Sequence, residues 1–467
     1  MNEIKKTLKD SAVMRWTALL LIASTMFFAY FFIDVVAPLQ TMLETDYKWS
    51  PEVFGMLGGS EFFLNVFAGF LILSGIILDK MGIRFTLITS ATTMVVGAAL
   101  KFYALTSGFA DSAFAGFLNS FFTGVPASAK LAFVGFAIFG VGIEMAGITV
   151  SKTIVKWFKG KELALAMGLE MAIARLGVFA VFRLTPIFAE HGGPSNSVFW
   201  GLVFLCVGFL TFFIYTFMDK KLDKQMGENR TGEEPEEAFR ISDLGKIIRN
   251  PGFLAISGLC VLFYAAIFPF QKFATDMLSS KLNIDIKTAA AYFSYFPIGA
   301  MILTPFMGAF LDFKGKGASM MFYGAILLTV SHLIFALVPN DVFTVPMALG
   351  TIVILGTAFS LVPASMWPSV PKIVEERYLG SAYGLIFYIQ NIGLLLVPIL
   401  IGWAVTQSNP GVAEQIAAGV EGAKYNYTVP ELIFAGFGVA AIALSFVLKA
   451  VDRKQGYGLE LPNKKKE

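Results

Sequence analysis

Long apolar stretches alternate with short polar turns along the whole chain. Twelve stretches reach the roughly 20 residues that a helix needs to cross a bilayer. They fall at about 16–39, 53–78, 84–106, 131–156, 163–189, 198–218, 253–278, 288–311, 318–338, 343–371, 379–407 and 430–450. The pattern predicts an all-α integral membrane protein with twelve spans. The first stretch reads as a span and not as a cleaved leader: it is too long, and Tyr30 and Asp34 stand where a small-residue cleavage site would be. Lys and Arg distribute unevenly around the spans. Twenty-seven fall on the side of the termini and six on the other, with Lys272 counted near an outer span end, while Lys101, Arg175 and Arg183 lie inside spans. That asymmetry predicts both termini in the cytoplasm.

Composition agrees with this class. Of 467 residues 56% are hydrophobic and only 15% charged, so a water-soluble globule has too little polar surface to form. The net charge of +3 gives no support for nucleic-acid binding. Two cysteines, Cys206 and Cys260, sit in apolar runs, and there are only two histidines, His191 and His332. Neither a disulfide framework nor a cysteine- or histidine-rich metal cluster is expected, and no cofactor is implied.

The chain divides in the middle. Residues 1–218 are expected to form an N-terminal six-helix bundle and 253–451 a C-terminal one. A charged cytoplasmic linker over 219–252 would join them, and a cytoplasmic tail covers 452–467. Within the linker, Ile241–Ile248 has the pattern of a short amphipathic surface helix. The halves echo each other. The turn after span two reads Gly75-x-x-x-Asp79-Lys80-x-Gly82-x-Arg84, and the turn after span eight reads Gly308-x-x-x-Asp312-x-Lys314-Gly315-Lys316. Leu163, Ala166, Gly168 and Gly177 opening span five match Leu379, Ala382, Gly384 and Gly393 opening span eleven. Repeated halves with one topology are a transporter signature.

On these residues the chain resembles the major facilitator superfamily over essentially its whole length. The resemblance implies two pseudo-symmetric six-helix bundles around a central cavity, working by alternating access. It also implies a cytoplasmic latch between the halves built on Asp79, Lys80, Arg84 and Asp312. In physical terms Asp79 is able to cap a helix N-terminus and pair with a cation.

Ionisable residues inside spans are costly and call for a reason. Glu144 and Arg175 lie at equal depth on adjacent antiparallel spans, each about 20 Å from the cytoplasmic end. Two readings are open: a mutual ion pair that holds the bundle, or a divided site. Arg offers a planar fork to a carboxylate and Glu accepts from an ammonium, so the divided site suits a zwitterion. The run Trp157 to Leu163, with Gly168-Leu169 and Ala174-Arg175-Leu176-Gly177, is similar to the lysosomal dipeptide uniporter branch of the superfamily. So are Phe268-Pro269-Phe270, Val330-Ser331-His332, Trp367-Pro368, Leu379 to Gly384 and Ile389-Gln390-Asn391-Ile392-Gly393. This resemblance implies that Arg175 holds a peptide carboxylate, Glu144 holds its amine, and Trp367 walls the cavity. Tyr30, Tyr264, Phe268, Tyr295 and Tyr388 are candidate cavity aromatics, and Asn391 is a candidate polar contact. Glu170 departs from the branch, which has a neutral amide there. The region of Asp34 lacks the Asn-Pro expected after it, Glu61 is an added acid in span two, and the outer loop Ser107–Lys130 is elaborated. Asp34, Glu61 and Glu170 are therefore candidate proton-carrying groups. His332 reads as a packing residue or a hydrogen-bond donor, and Arg183 has no assignment.

The expected function is transport of small peptides or similar zwitterions, by uniport or linked to protons. The alternative is a proton-coupled carrier of the same fold for another small organic anion or an amino acid. The expected partners are a small-molecule substrate and the lipid bilayer. No nucleophile–base pair or phosphate-binding glycine loop supports an enzyme. Asn426-Tyr427-Thr428 is a glycosylation pattern relevant only in a secretory-pathway cell. A bacterial inner membrane and a lysosomal or plasma membrane are equally compatible.

Overall fold

The computed structural model describes residues 7–226, 245–420 and 422–462. Among them, ten helices are long and apolar enough to cross a membrane. The remaining two crossings come from 51–104. This region holds Pro51–Ser60, Phe63–Phe67 and a long element, Phe70–Ala104, broken at Gly82. Glu61 touches Gly140 and Gly97 touches Gly135 and Phe139. On a continuous helix Glu61 and Gly97 would be about 54 Å apart, yet their partners span less than two turns of one helix. The chain therefore doubles back at Gly82, whose φ of +79° and ψ of 171° only glycine adopts readily.

We number the crossings α1 (Ala12–Ile33), α2 (51–81), α3 (83–104), α4 (Ala127–Phe158), α5 (Leu163–Glu190), α6 (Gly193–Met226), α7 (Pro251–Leu282), α8 (Ile286–Lys314), α9 (Gly317–Leu337), α10 (Val345–Ile373), α11 (Leu379–Ser408) and α12 (Thr428–Gln455). Helices α1–α6 form one half and α7–α12 the other. We call the side of the termini near and the opposite side far. Apolar side chains cover the outside of the halves, with Leu165, Phe217, Phe306 and Val353 all more than half exposed. Charged and polar groups such as Lys101, Asp34, Glu61 and His332 are buried. This inversion suits a lipid surround.

Several elements differ from the hydrophobic pattern. Span one stops at Ile33, and the chain turns through Asp34 into a short helix over Gln40–Tyr47. Span two is not continuous. It breaks at Glu61–Phe62 and again at Gly69, which has φ +66°. Span six continues past 218 to Met226, because Asp219 and Asp223 find Lys156 and Arg84 on neighbouring helices. The outer loop carries two short helices, Ser107–Ala110 and Ala113–Asn119. Most of the linker lies outside the described residues, as does the first half of Ile241–Ile248; positions 245–247 are helical.

The halves meet on the far side through backbone. A Cβ placed on Gly55 would lie 2.2 Å from the Pro398 carbonyl oxygen, one on Gly59 2.3 Å from that of Leu395, and one on Gly402 2.2 Å from that of Pro51. Only glycine permits α2 and α11 to approach so closely. On the near side, the ion pairs of Arg15, Arg84, Lys152, Lys156, Lys161 and Lys449 each join groups of one half. A Cβ on Gly75 or Gly308 there would meet nothing within 4 Å. The molecule is thus sealed on the far side and parted on the near side.

Candidate functional site

Half-buried polar groups gather between the halves, midway through the helices. Gly177 lets α5 lie against the Phe27 backbone of α1, with 2.2 Å from a Cβ there to the carbonyl oxygen. This brings Arg175 beside Tyr30, which is also within electrostatic reach of Glu170, Glu144 and Glu61. The Arg175 guanidinium lies 4.8 Å from the Phe359 ring centre and 5.8 Å from that of Phe268. A cation of one half thus rests on aromatics of the other. Such contacts are favourable where water is scarce. Glu144 neighbours the side-chain amide of Asn391 on α11, in the other half.

Glu144 and Arg175 make no ion pair with each other, nor does Glu170 join either within salt-bridge distance, among the described residues. The site keeps its charges apart around Tyr30. Trp367 donates from Nε1 to the Tyr264 hydroxyl at 3.1 Å, and its ring lies 5.0 Å from Phe387. The Tyr264 and Phe268 rings lie 5.4 Å apart, tilted by 30°, which continues the aromatic wall under Arg175. Tyr388 donates to the Val66 carbonyl at 3.4 Å, across the halves. Tyr295 stands apart from this group: it is 47% exposed and lies under Arg183, whose Nε donates to Ser294 at 2.9 Å. His332 pairs with Glu431 at 2.7 Å inside the second half.

The remaining candidates form two other groups. On the near side Asp79 accepts from Lys152 at 2.8 Å, within its own half, and both are substantially exposed. Arg84 pairs with Asp223 at 2.8 Å and Asp219 at 3.4 Å, while Lys80 is exposed and Asp312 half-buried. Toward the far side, Asp34 and Glu61 converge on Lys272 of α7, at 3.6 and 3.5 Å. By its place near the end of an apolar run, Lys272 is expected among the outer charges. It is in fact 8% exposed, because α7 continues ten residues beyond it to Leu282 and Gly58 makes room for its stem. Above this cluster, Tyr427 donates to Asp276 at 2.7 Å within the second half, and Tyr425 donates to Glu44 across the halves. Burial and these carboxylates raise both phenol pKa values well above their ordinary range. None of Lys272, Phe359, Asp276 or Glu44 was singled out from sequence.

The sequence profile of the Major Facilitator Superfamily matches residues 19–398 and 270–464, covering both halves. The chain belongs to the major facilitator superfamily. It is a multi-pass membrane transporter by that membership. It is 26% identical over 458 residues to the mouse (Mus musculus) lysosomal dipeptide transporter MFSD1, covering 94% of this chain and 87% of that protein. The human (Homo sapiens) counterpart is 27% identical over 403 residues, 83% of this chain and 79% of that one. Among solved structures, the nucleoside transporter NupG superposes with a TM-score of 0.69 at 14% identity, over 93% of this chain and 98% of that one. A bacterial homologue of the human lysosomal transporter Spinster, inward-facing and occupied, gives 0.69 at 16% identity, over 95% and 98%. At such identity these two speak to the fold alone.

Proposed function

We propose that this transporter carries small peptides, dipeptides foremost, or similar zwitterions by alternating access. The observation that carries the reading is the separation of Glu144 from Arg175 around Tyr30. Arg175 rests on aromatics of the other half and Glu144 lies beside Asn391 of the other half, both within electrostatic reach of Tyr30, with no ion pair between them. Arg175, already oriented by Phe359 and Phe268, takes the peptide carboxylate through its fork. Glu144, with the Asn391 amide beside it, takes the amine. Trp367, Tyr264, Phe268 and Tyr388 line the space between, and Glu170 is a further acid beside Arg175. The similarity to lysosomal dipeptide transporters supports the substrate class. An organic anion or a single amino acid is the alternative, since Arg175 alone suffices to hold a carboxylate.

The 27-to-six distribution of Lys and Arg supports assigning the near side to the cytoplasm. This conformation is then open inward. Asp79, Lys80, Arg84 and Asp312 act when the near side closes, and Lys152 keeps Asp79 occupied until then. The membrane is an inner membrane in a bacterium, and a lysosomal or plasma membrane in a eukaryote.

Capped dipeptides test the clamp in proteoliposomes. A C-terminal amide removes the group for Arg175, and an N-acetyl cap removes the group for Glu144. Each cap is expected to weaken binding to the unaltered protein by at least tenfold. The amide should then cost Arg175→Ala little more, and the acetyl cap should cost Glu144→Gln little more. Equal binding of free and capped dipeptides would leave the peptide reading without its basis.

A further inference from the structure

Asp34, Glu61, Lys272 and Lys101 form a buried cluster of two acids and two bases, all at most 8% exposed. Three of them belong to the first half; Lys272 alone comes from the second. Asp34 accepts from Gln271 Nε2 at 2.5 Å as well as facing Lys272. Lys101 has no hydrogen-bond partner for its Nζ, which sits 3.9 Å from the Phe136 ring centre, and Lys272 lies 5.5 Å from the same ring. A cavity of about 10 Å³, room for roughly one water, adjoins Asp34 and Lys272. The other titratable groups facing the cluster are Glu144 from α4 and Tyr30 from α1. The α11 residues packed on Gly58 and Gly59 are Leu395, Pro398 and Ile399, which bring no charge.

With all four side chains ionised the cluster is neutral. Parting the far side withdraws α7, and with it Lys272 and Gln271. Two carboxylates then remain with one ammonium in a region of low dielectric, a net charge of −1 that such an environment disfavours. One proton restores neutrality. We propose that Asp34 and Glu61 form a one-proton site, filled from the far-side solution when the halves part there and emptied by Lys272 when they close. On closure the returning ammonium displaces the proton. The next carboxylate toward the near side is Glu144, one helical turn from Gly140, against which the Glu61 backbone packs. The proton leaves by that group toward the near-side opening. Each cycle that uses the site carries one proton in the direction of the far-to-near movement. The proposal rests on the alternating-access reading and names its coupling ion.

Spin labels report far-side opening without any substrate. Asp111→Cys and Asp341→Cys place labels on exposed far-side loops of the two halves, in a Cys206→Ser, Cys260→Ala background of the full chain. The open form binds one more proton than the closed form, so acid favours opening. The ratio of long to short label distances should rise as pH falls from 8 to 5.5, by up to tenfold per unit. Lys272→Met leaves the charge deficit in both forms, and Glu61→Gln or Asp34→Asn combined with Lys272→Met leaves both forms neutral. Each should flatten the response, while Lys272→Arg should keep it. A flat profile in the unaltered protein overturns the proposal, and so does a response that survives in both neutral pairs. If Lys272→Met alone fails to fold, the two neutral pairs decide. Since no peptide is present, a failed dipeptide assay would strike the substrate reading and leave this result standing.

Discussion

Gly402 offers the most direct handle on the far-side seal. Its replacement by alanine would set a methyl group 2.2 Å from the Pro51 carbonyl oxygen and 3.0 Å from Glu52 Cα. Both neighbours are backbone and belong to the other half, so no side chain is free to swing away. Ordinary contact begins near 3.4 Å, so α2 and α11 must separate by about 1 Å. Overpacking of this kind costs about 1–3 kcal/mol. The strain exists only while the far side is closed, because parting the halves removes the contact. Gly402→Ala should therefore shift the equilibrium toward the far-open form by about 5–150-fold. The label pair at 111 and 341 reads this directly as a growing long-distance population. Gly75→Ala is the counterpart on the near side. It has open space around it in this conformation, and it should disfavour near-side closure, leaving the far-side seal more populated. Unchanged distances in folded Gly402→Ala, or the same direction of shift in both variants, would refute a seal made by glycine contacts.

Two further outcomes are expected. Asp79→Asn removes an exposed pair with Lys152 and should change thermal stability by less than about 1 kcal/mol, yet slow turnover with little effect on substrate affinity; unaltered turnover in the folded variant would take Asp79 out of the cycle. At the N-terminus, Lys161 and the Thr7 groups hold the Asp10 carboxyl below its ordinary range, and its own backbone amide together with Arg15 does the same for Glu162. Groups depressed in this way stabilise above their unfolded pKa and lose that contribution as pH falls through the folded one. Proteolytic protection of the N-terminal turn Leu8–Asp10 should hold from pH 8 to 5 and decline only below about 4, the ordinary carboxylate value; loss between pH 7 and 6 would contradict this.

The spans were readable from sequence because lipid imposes one simple demand, about 20 apolar residues per helix. The duplication was readable because Gly75 and Asp79 recur as Gly308 and Asp312. Glu144 and Arg175 stood out because charges are rare in such runs. What escaped were groups whose role depends on which way a helix face turns. Lys272 stands six residues before the end of its apolar run, where a long stem is normally free to reach the aqueous boundary. Its burial follows from Gly58 and from the added length of α7, neither of which marks Lys272 itself. Asp219 and Asp223 carried a legible signal in their four-residue spacing, which sets both on one helix face, where Lys156 and Arg84 meet them. Tyr425 and Tyr427 lie in a polar loop; Tyr425 finds its carboxylate, Glu44, only where the halves meet, and Tyr427 finds Asp276 only where the loop folds back on α7.

The interruptions of α2 have a consequence for the tempo of the cycle. A continuous helix fixed to α11 at one end and free at the other would have to move as a rod, dragging its whole half along. This one is jointed at Glu61–Phe62 and at Gly69. Each joint lacks part of the ladder of backbone hydrogen bonds, so bending there breaks few of them. The near-side portion is then able to lead the closing movement while Pro51–Ser60 is still seated, and the two seals need not exchange in a single concerted event. The elastic work of switching is concentrated in about ten residues of one helix. The time constant of the cycle becomes a local property, set by the stiffness of these joints in the microsecond-to-millisecond range of collective helix motions, and not by the bulk of the two bundles.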